Sequence, residues 1–213
     1  LPEAEPDDKR VNSRGLTTFA DTGGRDMKAF FWGAAIVIIV IILGGAIFVW
    51  SGLYNVAADV PHYKVTFWIL DEARDRSVAY HSRNIVPPSL KGEKLASIGF
   101  PRFHEMCRLC HGAPGFSRLE FAEGLYPNPP SLVSDDVQRD LGNAELFWIV
   151  KNGFKMTGMP SFGKTNTEEQ LWGIVAFLRR LPNLAPDEYA AMVKAETASG
   201  GEAEGQRREG TSQ

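Results

Sequence analysis

The sequence has only two cysteines in 213 residues, Cys107 and Cys110, and both fall in one short run. So few exclude a framework of several disulfides, and the lack of a second Cys pair removes the four-cysteine zinc site. An excess of charge of either sign is also lacking, because 23 Lys and Arg stand against 26 Asp and Glu for a formal net charge of -3. Whole-chain charge therefore gives no footprint for nucleic acid, which is not an expected partner. Strand signals are lacking around the cysteines, and no internal repeat is present. The expected fold class is all-α.

Charge disappears altogether between Ala29 and Trp50, where AFFWGAAIVIIVIILGGAIFVW is apolar apart from its glycines. At 1.5 Å per residue this stretch covers about 33 Å, enough for a hydrocarbon core of about 30 Å. Trp32, Trp50 and Tyr54 stand near its ends as in an aromatic belt. A single transmembrane anchor over residues 29–54 is the expectation. The competing reading is a cleaved signal peptide, with Val56-Ala57-Ala58 as the small-residue site, but the apolar run exceeds the usual h-region. Arg10, Arg14, Arg25 and Lys28 flank the segment upstream, and Lys64 flanks it downstream. By the positive-inside rule the N-terminus is then cytoplasmic and the larger C-terminal part lies outside.

The flanks divide the rest. Residues 1–28 are polar and Gly-containing, as in a disordered cytoplasmic tail, and residues 195–213 read as a second disordered tail. Residues 55–89 form a juxtamembrane helix and linker: Asp59 caps, Pro61 starts, and Tyr63, Phe67, Leu70 and Val78 recur near helical spacing, widened by Trp68 and Ile69. Lys64, Asp71, Glu72, Arg74, Asp75 and Arg76 mark the opposite side. Such a helix lies on the membrane surface, docks on a partner subunit or packs on the domain that follows. Pro87-Pro88 makes a stiff linker, and His62 and His81 belong to no ligand motif.

Cys107-Arg108-Leu109-Cys110-His111 is the local signature of covalent haem c attachment, in which two thiols add to the vinyl groups and the adjacent imidazole meets the iron. A half zinc site and a thioredoxin-like dithiol are the alternatives for the same spacing. Gly99 and Phe103 precede Cys107 by eight and four positions, which sets all three on one side of a helix. Pro101 implies a helix start near Gly99 or a kink, and His104 is expected at the surface. Downstream, Gly112 to Leu132 is a Gly- and Pro-rich loop around a large rigid ligand. Asn143 caps a helix through Val150 that stops at Asn152-Gly153, and Thr167 with Gln170 forms a capping box for a helix ending at Leu181-Pro182. A further short helix starts at Pro186 and carries Tyr189, Met192 and Val193.

From about Leu90 to Leu181 this order of motifs resembles the class-I c-type cytochromes. The resemblance implies a first helix ending in the attachment motif and crossing the last helix near Gly99 and Phe103, within a helical haem domain over residues 90–194. In that family a Pro-x-Leu segment follows the motif, which implies that the Pro130 carbonyl accepts from the ligating imidazole and that Leu132 packs on the haem ring; Pro129 is one register away. A Met between Gly and Pro in a loop between two helices resembles the family's sixth-ligand loop. It implies Met159 as the second axial ligand, with Met156 as the alternative.

The cofactor set is thus one covalent haem c held by Cys107, Cys110 and His111 with Met159. The expected function is one-electron transfer on the periplasmic side of a bacterial inner membrane, between a quinol-oxidising complex and a terminal oxidase, with no small-molecule substrate and no catalytic residue. A soft neutral thioether favours the reduced ion, and tethering raises effective concentration at partner proteins. Lys151, Lys155 and Lys164 around the Met loop are expected to steer an acidic partner. The alternative is a fixed haem c subunit of a larger oxidase or reductase complex; a haem enzyme or gas sensor with an open iron position comes third.

Overall fold

A computed structural model of the chain describes the backbone of residues 22–210 and the side chains of residues 27–198. The tail expected over residues 1–21 and the terminal residues 211–213 lie outside the described residues. The chain divides into two compact units, Leu1–Val56 and Ala57–Gln213. Among the described residues every regular element is helical, and the only bridge is Ala113 with Phe116.

In the first unit, helix α1 spans Thr22–Ser51 and so begins seven residues before the apolar run. Residues 22–28, expected as tail, carry no proline and continue the helix outward. From Met27 to Ser51 the helix is long and apolar enough to cross a membrane, and none of it is buried against protein. Each residue from Ile36 to Leu43 is more than half exposed, on all sides of the axis. An all-round apolar helix with no protein cover fits lipid as its solvent. Its last turn closes where the Ser51 hydroxyl donates to the Phe48 carbonyl at 2.7 Å and Gly52 takes a φ of +67°.

The second unit opens with an extended lead. Helix α2 covers Lys64–Ser82, three residues later than the Pro61 start expected, and no side chain caps it. The physical reason lies at His62, whose N–H donates to the Tyr126 hydroxyl at 3.0 Å and holds this stretch out of the helix. Only the last part of α2 packs inward. Val78 and Ser82 are buried, and the His81 ring stacks on Trp148 at 5.6 Å. The expected apolar stripe does not form one buried face, because Val65, Phe67, Trp68, Ile69 and Leu70 surround the first two turns and all are exposed.

The core is built where α3 (Glu93–Arg102) crosses α8 (Glu168–Arg180). A Cβ on Gly99 would fall 2.0 Å from the Gly173 carbonyl carbon, and one on Gly173 would fall 2.8 Å from the Gly99 nitrogen. The two backbones touch. Around this point Ala96, Leu171, Ile174, Val175 and Leu178 are buried, and the Phe103 and Phe177 rings meet at 5.0 Å. Helix α3 runs through Pro101 instead of starting near Gly99. Pro101 lacks the N–H that an α-turn would aim at the Ser97 carbonyl, and the next residues, Phe103–Cys107, widen into a π-turn before α4 (Arg108–His111).

Short helices α5 (Glu120–Glu123) and α6 (Asp135–Gln138) interrupt the loop that follows. Helix α7 spans Asn143–Asn152. Asn143 is its first residue instead of its cap, since its side-chain oxygen is taken by Arg179 and Glu145 reaches back to the Gly142 N–H at 2.7 Å. Gly153, at a φ of +64°, ends it. The α8 capping box is formed, with Thr167 Oγ1 accepting from the Gln170 N–H and Gln170 Oε1 accepting from the Thr167 N–H. Helix α9 spans Pro186–Gly210 and seals the core with the fully buried Tyr189. Its backbone stays helical through most of residues 195–213, expected as a disordered tail; Glu, Ala, Gln and Arg there favour helix locally despite four glycines.

Gly173→Ala is expected to destabilise the second unit by about 3 kcal/mol or more, at the top of the range for overpacking, because its obstacle is backbone instead of a movable side chain. Ala176→Gly, one turn along the same helix, removes a methyl and provides the comparison. Equal denaturant midpoints for Gly173→Ala and wild type would refute the close crossing.

Candidate haem site

The attachment motif sits where the π-turn passes into α4. Cys107 is buried, Cys110 is half-buried, and both are free thiols. Burial, with a smaller contribution from Cys110, pushes the Cys107 thiol up to about 12. Such a thiol supplies almost no thiolate near neutrality, which opposes the dithiol redox reading. Among the described residues no group of three or more His, Cys, Asp or Glu gathers as a tetrahedral cation site requires. The zinc alternative has no further ligands there.

Gly112, at a φ of +74°, ends α4 directly after His111. His111 Nδ1 lies 2.8 Å from the Pro130 carbonyl oxygen. A carbonyl only accepts, so Nδ1 carries the proton and Nε2 keeps its lone pair. Burial lowers the His111 pKa, the Pro130 bond opposes that shift and the Arg118 charge adds to it, so the neutral imidazole is favoured. The neighbouring carbonyl, Pro129, accepts from Arg118 at 3.3 Å instead. Leu132 is half-buried against the core.

The second candidate ligand lies in a loop closed by its own hydrogen bonds. The Phe154 N–H donates to the Met159 carbonyl at 3.1 Å, Thr157 Oγ1 donates to the Phe154 carbonyl at 3.0 Å, and the Met159 N–H donates to Thr157 Oγ1 at 3.1 Å. Gly153 is required beneath it, since a Cβ there would stand 2.5 Å from the Met159 and Pro160 oxygens. Met159 is half-buried, whereas Met156, at a φ of +58°, is 100% exposed. The two methionines therefore differ in burial. Two thiols at this spacing, an imidazole with a free Nε2 and a half-buried methionine are a donor set that fits covalent haem c.

Residues 95–178 match the family model described as cytochrome C oxidase, cbb3-type, subunit III. The match covers less than half of the chain and includes the attachment motif, Pro130, the Met159 loop and nearly all of α8. No curated protein matches the chain. A c-type cytochrome domain with spacing for haem c attachment is thus supported by motif, geometry and the cbb3-type match together.

Several residues stand apart from what the sequence led us to expect. Lys151 is engaged, its Nζ 2.8 Å from Glu168 and 5.4 Å from the centre of the Phe147 ring, while Lys155 and Lys164 are exposed. His104 is half-buried instead of exposed, with Nδ1 2.9 Å from the Tyr189 hydroxyl. Burial, then the Arg108 charge, lowers its pKa. Thr157, Gln138 and Arg179 hold the site and were not singled out by spacing. A threonine two residues before the Met is an ordinary turn signal, but carbonyl-binding side chains leave no motif.

Burial pushes the Tyr189 phenol up from 10 to about 12, with Arg108 opposing and Cys107 adding. An unfolded chain loses that proton first, so stability is expected to fall as pH climbs from about 10 to about 12, by roughly 2–3 kcal/mol. Denaturant midpoints at about pH 9.5 and about pH 11.5 measure the slope. Tyr189→Phe removes the group, and a variant that keeps the full slope would place its cause elsewhere.

Proposed function

We propose that this chain is a membrane-anchored haem c subunit fixed within a larger oxidase complex of the cbb3 type, where it passes single electrons on the periplasmic side. The observation that carries the reading is the subunit III match over residues 95–178, which favours an assembled subunit over the freely tethered carrier between complexes expected from the sequence. Haem c, when bound, would supply one-electron chemistry. Cys107 and Cys110 would hold the group covalently, and His111, oriented by Pro130, would offer Nε2 to the iron. Met159, held by the Thr157-pinned loop, would offer its thioether, and Leu132 would supply an apolar contact. The core of α3 and α8 keeps water from the buried side.

The exposed first two turns of α2 support the same reading. Trp68 is 65% exposed and Val65, Phe67, Ile69 and Leu70 accompany it. A helix end with five exposed apolar residues among its first seven is a poor surface helix, because a membrane-surface helix needs a strong polar face. Burial among the helices of a partner subunit satisfies it. The span Met27–Ser51 would anchor the chain in the membrane that houses such a partner, and the upstream Arg and Lys residues favour a cytoplasmic N-terminus.

Solubilisation of native membranes in mild detergent is expected to carry the chain along with a haem–copper oxidase, and Trp68→Glu is expected to reduce the recovered complex at least several-fold. A lone monomer from wild-type membranes, with oxidase activity elsewhere, would return the reading to a tethered carrier. In the purified protein, Met159→Ala is expected to abolish the weak long-wavelength ferric band of thioether ligation and to open the ferrous haem to carbon monoxide. Met156→Ala is expected to do neither, and the reverse pattern would exchange the two ligands.

A further inference from the structure

The stretch that presents the Pro130 carbonyl to His111 cannot hold itself. Pro127, Pro129 and Pro130 lack N–H groups, so regular backbone pairing is not available to it. Side chains hold its carbonyls instead. Arg118 takes Pro129, His111 takes Pro130, and Gln138 Nε2 takes Leu132 at 2.5 Å. The same Gln138 nitrogen donates to the Leu178 carbonyl in the last turn of α8 at 3.0 Å. One amide thus fastens the proline stretch to the helix that forms the core.

Gln138 is itself oriented. Arg179 Nη1 donates to the Gln138 carbonyl at 2.7 Å and lies 3.4 Å from its Oε1, which leaves Nε2 as the group facing Leu132 and Leu178. The guanidinium is spread over further neutral oxygens, donating from Nε to Asn143 Oδ1 at 2.8 Å and from Nη2 to the Leu141 carbonyl at 2.5 Å. Among the described residues no carboxylate pairs with it in an ion pair. Two residues of chain separate the Leu132 carbonyl from that of Pro130. A shift at Leu132 is therefore felt at the acceptor of the His111 bond.

We propose that Gln138, held by Arg179, is a positioning residue for His111: it fixes the Pro130–Leu132 backbone so that the Pro130 carbonyl keeps a short, aligned bond to His111 Nδ1. This inference rests on the reading of His111 as an axial ligand. A strong bond at Nδ1 makes the imidazole a better electron donor and favours the oxidised ion. Loosening it moves the balance toward the reduced form.

The experiment compares wild type with Gln138→Met, which keeps the side-chain length and removes both donors, and with Thr167→Ala, which weakens the α8 cap far from His111. Reduced, diamagnetic protein is read by NMR for the His111 Nδ1 proton and its solvent exchange, and by redox titration for its midpoint potential. For Gln138→Met the expected result is faster exchange of that proton and a rise in potential worth up to about tenfold in the oxidation equilibrium, about 59 mV for one electron. Thr167→Ala is expected to lose stability and change neither. Wild-type exchange and potential in Gln138→Met would overturn the proposal, as would equal shifts in both variants. Should Gln138→Met fail to mature, Gln138→Glu keeps a partner for Arg179 while losing both donors, and unchanged proton exchange there overturns the proposal too. A wild-type spectrum without an upfield-shifted haem-bound imidazole would instead sink the ligand assignment beneath it.

Discussion

Backbone contact between Gly99 and Gly173 is the constraint on which the rest of the second unit depends. Two helices of ordinary sequence keep their axes about 8–10 Å apart because side chains intervene. Here a side chain on either glycine would collide with the opposite main chain. The closeness lets Phe103 and Phe177 meet beside the crossing and lets Tyr189 close over them, so that the end of α3, and with it the attachment motif, leaves the core in a fixed direction.

The elements proposed to bind haem use that direction differently. His111 follows the end of the π-turn by four residues and takes its orientation from a carbonyl on a proline-rich stretch, itself tied to α8 through Gln138. Met159 comes from a loop stiffened within its own eight or so residues by Thr157 and Gly153. One proposed ligand is thus held by the core and the other by local hydrogen bonding. Such a division would keep both proposed donors in place without requiring a deep protein interior around them, as would suit the electron transfer proposed for the site.

Much of this was legible in the residues because the signals were local. The uncharged run from Ala29 to Trp50, the Thr167–Gln170 capping box, the Gly153 stop and the Pro186 start each depend on a few neighbours in the chain. What escaped depended on distant partners. Asn143 reads as a cap until Arg179 claims its oxygen, and His104 reads as exposed until Tyr189 arrives from α9. The stripe on α2 obeyed helical spacing, yet of its residues Val78 is the one that is buried, because periodicity states that a face exists and not what covers it. Gln138 and Arg179 act through main-chain carbonyls, which every sequence possesses.

The π-turn over Phe103–Cys107 holds one residue more than an α-turn would need. A helix absorbs a single inserted residue in this way, with the faces on either side keeping their alignment. The segment between the glycine crossing and the attachment motif is therefore the place in this core helix where chain length is negotiable. A relative shorter by one residue there would keep Gly99 against α8 and the cysteines in their present positions. It would give up only the widened turn, which makes this a point where a core helix can gain or lose a residue without moving the faces on either side.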